Sequence, residues 1–335
     1  MWLRILVVVV VVVVACAPGT HSMGTPSETV DAAQDAAVNA LPTDVCTPTP
    51  PTTYVDPAGQ HSIVIVQQPT LYPLCGDPRP LLLVLGSYGS ATGFSSQIAM
   101  GWRYLKNVPP NGAIIIAPDG LLQPGTTGTH YWNSDPGCCD KLGVGNDDGA
   151  YLRGLLRWTL ANYNIDRSRV FVAGVSNGGF MAERVRCDDP DLVTAIVDWA
   201  GAGQGPTAAA CTPGLPVAAL VDHSFADTGI VYPGGHFHSM PQNYLGTLAT
   251  IDQNATQAGC SGLALAQPNA YDHDSTVAGA ETDRLTMTCS GAAVEHWREP
   301  TSVHGFTQTT NGTPDGPITT LWGDHAWAWL MEHPR

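Results

Sequence analysis

The chain has 335 residues, which is enough for one large domain or two small ones. Hydrophobic residues make up 44% and charged residues 13%, a composition that excludes a coiled coil or a mostly disordered chain. The formal net charge is −15, because 29 acidic residues outnumber 14 Lys and Arg. A field of that sign repels phosphate backbones, so we expect no nucleic-acid partner.

The N-terminal segment 1–16 has the pattern of an export signal. Arg4 precedes an apolar run, Ile5 to Ala15, that is too short to cross a bilayer, which takes about 20 apolar residues. Cys16 ends a lipobox-like sequence and is expected to carry the lipid that anchors the chain to a membrane. The alternative is an ordinary signal cleaved near Ala17. Either way we expect an exported protein, as an envelope lipoprotein or in secreted form.

Residues 17–53 are rich in Pro, Thr, Ala and Ser and contain almost no large apolar side chains. Such a segment cannot bury a core, so we interpret it as a flexible tether. The folded, catalytic domain is expected to cover residues 54–335.

Apolar runs alternate with helical patterns along residues 54–335. The predicted strands are His61–Val66, Leu81–Leu85, Ala113–Ala117, Arg169–Val175, Ala195–Trp199, Val217–Val221, Leu285–Thr288 and Val294–Arg298. One predicted helix begins at Asp148 after the acidic Asp147, and two others cover Gly178–Cys187 and Ile318–Glu332. This alternation favours an α/β fold with a mostly parallel sheet covered on both faces. In such sheets functional residues follow the carboxyl ends of strands.

A G-x-S-x-G sequence directly follows the strand predicted at Arg169–Val175, as Gly174-Val175-Ser176-Asn177-Gly178. Flanking glycines permit the tight strand-to-helix turn that exposes a serine hydroxyl above the sheet. The amides at the start of the following helix would stabilise an oxyanion beside that hydroxyl. We therefore interpret Ser176 as a nucleophile. The alternative is a glycine-rich turn without chemistry.

A serine hydroxyl needs a histidine base that is oriented by a carboxylate. In this arrangement the chain order is serine, acid, histidine. His304 lies beside Gly305 in a loop just past the last predicted strand, and it is our candidate base. The strand Val217–Val221 is followed by Asp222 and Asp227. We expect Asp227 to be the acid and keep Asp222 as the alternative.

The block from Tyr163 to Ala182 resembles the secreted polyhydroxybutyrate depolymerase and feruloyl esterase group of α/β-hydrolases, which also includes acetyl xylan esterases. Further matches within residues 80–306 are Pro118-Asp119-Gly120, Tyr131-Trp132-Asn133 with the nearby Cys138-Cys139, Asp147-Asp148 and Tyr232-Pro233-Gly234-Gly235. The resemblance implies an α/β-hydrolase fold with Ser176 as nucleophile, Asp227 as acid and His304 as base. It also implies that Trp132 lies near the substrate pocket.

Two positions depart from that group. It usually has Leu-His-Gly after the strand that supplies the first oxyanion amide, whereas this chain has Leu85-Gly86-Ser87-Tyr88-Gly89. We expect backbone amides of Ser87 or Tyr88, together with Asn177, to form the oxyanion hole. Ser224 stands where the acid loop of the group has Gly.

We expect a serine esterase that forms an acyl-enzyme and uses no cofactor. The alternatives are a catalytically weak, membrane-tethered ester- or glycan-binding protein on the same fold and, third, a serine peptidase. The few residues after His304 leave no room for a module that binds solid polyester. The expected substrates are therefore feruloyl or acetyl esters of sugars, or short hydroxyacid oligomers. Tyr131 and Trp132 would form an aromatic wall for them, unless both rings belong to the core.

Eight cysteines follow Cys16, and an even number in an exported chain predicts disulfides. We pair Cys187–Cys211, which bracket the strand after the nucleophile helix, and Cys260–Cys289, which bracket the segment before the last strands. The remaining cysteines, with their pairing open, are Cys46, Cys75, Cys138 and Cys139.

Two histidine-containing sequences, His236-Phe237-His238 and Asp272-His273-Asp274, have side chains of metal-ligand type. Nothing else is spaced to complete a site, so we expect no metal and assign these histidines to the surface or a pocket rim.

Overall fold

The computed structural model describes residues 50–66, 77–89, 112–301 with gaps at 207, 209–210, 213, 239 and 274–276, then His304 and residues 320–335. All of them lie within one compact unit, Leu41–Arg335. Cys16, Cys46 and Cys75, together with the signal and most of the tether, lie outside the described residues. What the sequence predicts for them therefore stays a prediction.

Fourteen strands and four helices lie within the described part of the chain. The strands are β1 Thr53–Tyr54, β2 Val64–Ile65, β3 Arg79–Leu85, β4 Ile114–Ile116, β5 Leu121–Leu122, β6 His130–Tyr131, β7 Ile165–Val175, β8 Ala195–Trp199, β9 Ala218–Ser224, β10 Gly235–His236, β11 Asn243–Tyr244, β12 Cys260–Tyr271, β13 Thr282–Cys289 and β14 Val294–Glu299. The helices are α1 Asp148–Asn162, α2 Asn177–Asp188, α3 Thr247–Ala258 and α4 Thr320–Glu332. None of these described helices is both long and apolar enough to cross a membrane.

Eight strands form one sheet in the order β12-β13-β14-β9-β8-β7-β3-β4. Neighbouring strands from β14 to β4 pair in parallel, whereas β13 is antiparallel to both β12 and β14. The carboxyl ends of the parallel strands therefore meet at one edge, as the predicted mostly parallel sheet requires.

Helices cover both faces of this sheet. Leu220 of β9 packs in one apolar cluster with Trp322 of α4. The next residue, Val221, packs in another cluster with Ile251 of α3. Because successive side chains of a strand point to opposite faces, α3 and α4 lie on opposite sides of the sheet. This explains why the central strands have the nearly continuous apolar sequence of parallel strands.

The structure adds one helix and six strands that the sequence patterns do not predict: α3, β12 and the two-residue strands β1, β5, β6, β10 and β11. β12 is mostly exposed and stands at the end of the strand order, so it has no apolar run to reveal it. The strand predicted at His61–Val66 is reduced to β2. His61 instead contacts two carboxylates, with Nδ1 3.0 Å from Asp56 Oδ2 and Nε2 2.8 Å from Asp148 Oδ1.

The structure contains both of the long-range disulfides that the sequence pairs. Cys187–Cys211 joins the end of α2 to the segment before β9, and its Cα atoms are 4.5 Å apart. Cys260–Cys289 joins the first residue of β12 to the last residue of β13. The open pairing is resolved in part, because Cys138–Cys139 are bonded to each other. The disulfides Cys187–Cys211 and Cys260–Cys289 close loops with sequence separations of 24 and 29 residues. Closing a loop of such length stabilises the fold by about 3 kcal/mol in the chain-entropy model.

Candidate active site

The turn between β7 and α2 holds Ser176 in a strained conformation. Its backbone has φ 55° and ψ −120°, a region that residues with a side chain rarely adopt. The Ser176 amide donates to Trp199 O at 2.8 Å, which attaches the turn to the end of β8. The serine therefore lies at the carboxyl edge of the sheet, where an α/β fold carries its chemistry.

Close backbone approach explains the glycines of the G-x-S-x-G sequence. A Cβ on Gly174 would lie 1.9 Å from Gly178 O, and a Cβ on Gly178 would lie 2.1 Å from Leu85 O. Neither clash could be relieved by rotating a side chain, because the atoms that the added Cβ would meet belong to the backbone. The glycines thus bring the start of α2 against the end of β3, the two segments expected to supply the oxyanion hole.

His304 connects Ser176 to Asp227. Its Nε2 lies 2.7 Å from Ser176 Oγ, and its Nδ1 lies 2.9 Å from Asp227 Oδ2. An ionised carboxylate can only accept, so Nδ1 carries the proton and Nε2 accepts from the serine hydroxyl. The His304 side chain is 34% exposed, which leaves the base open to solvent and to a ligand.

Asp227 is buried among hydrogen-bond donors. Its Oδ1 accepts from the backbone amides of Gly229 at 2.7 Å and Ile230 at 2.9 Å. Its Oδ2 lies 3.2 Å from His223 Nε2. Burial raises the pKa of Asp227, but the hydrogen bonds from His223 and His304 outweigh it and lower that pKa to about 2. The carboxylate is therefore ionised and can stabilise a protonated His304.

Asp222, the alternative acid, lies in a different environment. It is fully buried and accepts a hydrogen bond from Trp322 Nε1 of α4. Burial, followed by the neighbouring Glu299, raises its pKa well above the usual range. Within the described chain it has no hydrogen bond to His304, so the geometry favours Asp227.

His223 is a positioning residue that the sequence analysis does not identify. Its Nε2 donates to Ile230 O at 2.8 Å as well as facing Asp227, and its Nδ1 accepts from Thr247 Oγ1 at 2.8 Å. The ring is 2% exposed. It therefore holds the loop that carries Asp227. The sequence signal that could reveal it is its position at the start of the acid loop, four residues before Asp227.

Trp132 braces both halves of the predicted oxyanion hole. Asn177 is the first residue of α2, where amides lack intrahelical acceptors. Its side chain accepts from Trp132 N at 2.7 Å and donates to Trp132 O at 3.0 Å. The indole Nε1 of Trp132 donates to Gly86 O at 3.0 Å, directly before Ser87 and Tyr88. One residue thus links the two segments whose amides are expected to bind an oxyanion.

The rings of Tyr131 and Trp132 are 2% and 1% exposed. The Tyr131 hydroxyl donates to Asn146 Oδ1 at 3.1 Å, so its polar end is occupied by the protein. This burial favours the alternative in which both rings belong to the core, and it disfavours an aromatic wall facing substrate.

A half-exposed aromatic pair, Tyr88 and Phe237, lies beside the predicted hole instead. Their rings meet edge to face with centroids 5.5 Å apart. Lys141 Nζ lies 4.1 Å from the Tyr88 ring centroid, and the Tyr88 hydroxyl donates to Gln123 Oε1 at 2.6 Å. Phe237 has no assigned role in the sequence analysis, because only the fold brings it to Tyr88.

The histidines of metal-ligand type fall into two environments. His236 and His238 are exposed, in agreement with a surface assignment. His273 is buried against Glu299 and His325, so its assignment to the surface or a pocket rim is wrong. The error arises because the charged neighbours of His273 in the sequence suggest solvent, whereas β14 and α4 cover it.

No family model matches this chain. It is similar in sequence to feruloyl esterase B of Piromyces equi, with 27% identity over 204 residues, 59% of this chain and 36% of that protein. It is also similar to a probable acetylxylan esterase A of Aspergillus flavus, with 30% identity over 114 residues, 34% of this chain and 35% of that protein. The chain thus spans little more than a third of the length of these relatives. Their names confirm the resemblance to the feruloyl and acetyl xylan esterase group.

Among solved structures, the acetyl xylan esterase from Aspergillus awamori matches 84% of this chain and 98% of that one. The TM-score is 0.50 and the sequence identity is 14%. A likeness at this identity concerns the fold alone, and together with the sheet order it confirms the α/β-hydrolase fold.

Proposed function

We propose that this protein is a serine esterase that hydrolyses carboxylic esters through an acyl-enzyme on Ser176. The observation that carries the proposal is the 2.7 Å contact between His304 Nε2 and Ser176 Oγ, with Asp227 on the other ring nitrogen. The similarity to named feruloyl and acetylxylan esterases supports the reaction class.

In the first half-reaction Ser176 Oγ attacks the ester carbonyl carbon, and its proton passes to His304 Nε2. Asp227 stays ionised and stabilises the imidazolium. His304 then gives the proton to the leaving alcohol as the carbon–oxygen bond to the alcohol breaks. A water molecule attacks the acyl-enzyme in the same way, which releases the acid and restores Ser176.

The oxyanion that forms in each half-reaction would accept from the Asn177 amide and from the amide of Ser87 or Tyr88. These donors belong to the backbone, so the histidine that the related group has before them is not required for the hole. The bracing of Gly86 and Asn177 by Trp132 supports a preorganised site.

Labelling with a fluorophosphonate tests the nucleophile. We expect the parent to be labelled, Ser176→Ala to remain unlabelled, and Ser261→Ala, which changes an exposed serine, to be labelled like the parent. A labelled Ser176→Ala variant would contradict the assignment. A parent that is neither labelled nor able to hydrolyse p-nitrophenyl acetate would favour the weak ester- or glycan-binding protein.

We infer that the substrates are soluble or oligomeric: feruloyl or acetyl esters of sugars, or short hydroxyacid oligomers. Tyr88 and Phe237 offer ring surface to an aromatic acyl group or to a sugar. Rates on methyl ferulate, acetylated xylo-oligomers and a polyhydroxybutyrate film test this. We expect turnover of the small esters, and Phe237→Ala should raise KM more for the ferulate than for the acetyl ester. Clearing of the film without activity on the small esters would overturn the inference.

We further propose that the protein is exported and anchored through a lipid on Cys16. The apolar run before Cys16 supports export, and so do the three disulfides within the described chain, which are typical of oxidising compartments. Partition between a detergent and an aqueous phase tests the anchor. The parent should enter the detergent phase and Cys16→Ser the aqueous phase, and equal partition of the two would contradict lipidation.

A further inference from the structure

A second cluster of ionisable side chains lies on the face of the sheet covered by α4, separate from Ser176. It contains Asp222 of β9, Glu299 at the end of β14, and His273 from the connection between β12 and β13. All three are buried, and one donor atom from each lies within 4.8 Å of the others. Asp222 pairs in register with Trp297, and Glu299 follows two residues later, so both carboxylates project to the same face.

Among the described residues, one carboxylate oxygen of Asp222 has no hydrogen-bond partner. Trp322 Nε1 donates to Oδ2, whereas Oδ1 is buried and has no partner among the described residues. The neighbouring Glu299 is itself acidic, and one of its carboxylate oxygens lies within 4.8 Å of one of Asp222. A buried carboxylate oxygen in such surroundings needs a proton or a cation.

His273 has the orientation of a metal ligand. Its Nδ1 faces Glu299 Oε1 at 3.3 Å, and its Nε2 lies 3.0 Å from His325 Nδ1. A ligating imidazole usually donates its other N–H to an acceptor that orients the ring. In a metal-bound form His325 Nδ1 would be that acceptor, and the lone pair of His273 Nδ1 would be directed at the carboxylates.

We propose that Asp222, Glu299 and His273 bind one divalent cation of the zinc type. Donors to Zn²⁺ lie at about 2.0–2.2 Å from the ion and hence within about 4.4 Å of one another, close to the spacing of this cluster. Mixed carboxylate and imidazole donors favour Zn²⁺ over Mg²⁺ or Ca²⁺, which take oxygen ligands. The cation neutralises two carboxylates that would otherwise repel each other. The proposal differs from the sequence-based expectation that the protein holds no metal.

The site is structural, because the Ser176 chemistry uses none of its three ligands. The ion joins β9, β14 and the connection between β12 and β13, and α4 closes it with Trp322 and His325. Its effect is therefore on stability, and it is independent of the proposed esterase function.

Titration of chelator-treated protein with Zn²⁺, in competition with a chromophoric chelator, tests the site. We expect one Zn²⁺ per chain, a rise in Tm, and loss of both in Asp222→Asn and in His273→Gln. His325→Phe should weaken zinc binding by about 10- to 100-fold, because it removes the orienting acceptor and no ligand. The matched control His236→Ala/His238→Ala removes two exposed histidines and should bind like the parent.

A parent that binds no Zn²⁺, with an unchanged Tm, overturns the proposal. Binding that survives Asp222→Asn but disappears in His236→Ala/His238→Ala also overturns it, since the ion would then be on the surface. If Asp222→Asn does not fold, the parent stoichiometry and His325→Phe decide the matter. Fluorophosphonate labelling of the zinc-free parent shows separately whether the esterase assignment stands.

Discussion

Asp222 and Asp227 lie five positions apart in the sequence, and the pKa values of their carboxyl groups are shifted in opposite directions. Both are buried, at 0% and 4% exposure. Asp227 receives two backbone amides and two imidazoles, and its pKa falls to about 2. Asp222 receives one indole N–H, and burial, followed by the neighbouring Glu299, raises its pKa well above the usual range.

The difference shows that burial alone does not determine the charge of a carboxylate in this protein. Hydrogen-bond donors that favour the charged form decide it, because they compensate for the lost hydration. Asp227 has enough donors to stay ionised and serve a base. Asp222 lacks them and is suited to bind a cation. Substitutions at the two sites test this contrast.

Removing the hydroxyl of Ser176, the proposed nucleophile, has the largest expected effect. Ser176→Ala should lower kcat for p-nitrophenyl acetate by about 10⁴-fold or more, because no hydroxyl remains to form the acyl-enzyme. Circular dichroism should show an unchanged fold, and Ser261→Ala should keep the parent rate. A parent-like rate in Ser176→Ala would place the chemistry outside this site.

The second largest expected effect is the loss of activity on substitution of Asp227, compared with that of Asp222. Asp227→Asn should lower kcat by about 10⁴-fold, because an amide cannot hold His304 in the required tautomer or stabilise the imidazolium. Asp222→Asn should lose far less activity, since Asp222 has no hydrogen bond to His304 within the described chain. Steady-state rates of the two purified variants check this. A larger loss in Asp222→Asn would exchange the roles assigned to the two carboxylates.

A substitution at Gly229, beside His304, tests how strongly the rate depends on the position of the imidazole. A Cβ on Gly229 would lie 2.7 Å from His304 Cγ, so Gly229→Ala should displace the imidazole. A misplacement of about 1 Å costs on the order of 10²-fold, and the loss should appear in kcat rather than KM. Gly128→Ala is the matched control, because nothing lies within 4 Å of its added Cβ. Equal kcat and KM values for the two variants would show that the loop around Gly229 accommodates the added methyl group without displacing His304.

The smallest effect is on stability. The pKa of Asp227 is about 2 in the folded protein against an ordinary value of 3.8. Its ionised form therefore stabilises the fold above about pH 4, and that contribution is lost as the pH falls towards 2. The shift corresponds to about 2 kcal/mol.

Urea unfolding of the parent and of Asp227→Asn, at pH 6 and near pH 2, measures this contribution. The difference between the two free energies of unfolding should shrink by about 2 kcal/mol at the lower pH. Asp252→Asn, which changes an exposed acid, should show no such change. A pH-independent difference for Asp227→Asn would contradict the ionised state assigned to Asp227.

Much of the fold is predictable because its causes are local. The apolar run Leu81–Leu85 lies within β3, and Ala195–Trp199 coincides with β8. Both strands are buried on two faces, so they carry no polar alternation that could be confused with another element. β12 escapes detection for the opposite reason: it is an exposed strand defined by its pairing with β13 rather than by its own apolar residues.

The roles of aromatic side chains depend on contacts that the sequence does not display. Tyr131 and Trp132 precede the nucleophile by about forty residues and are equally consistent with a pocket wall or a core. The fold buries both, with Trp132 bonded to Asn177 and the Tyr131 hydroxyl to Asn146, and it leaves Tyr88 and Phe237 half-exposed. Residue type alone could not separate these outcomes.

The sequence alone identifies Ser176 as the candidate nucleophile, because the flanking glycines and the strand and helix patterns around it are local features of the chain. It also limited the acid to two aspartates at the end of one strand. Only the tertiary structure distinguishes them, since His304, which contacts Asp227, and Glu299, which lies near Asp222, come from distant parts of the chain. The charge of a buried group depends on these neighbours in space, and a linear pattern of residues does not contain that information.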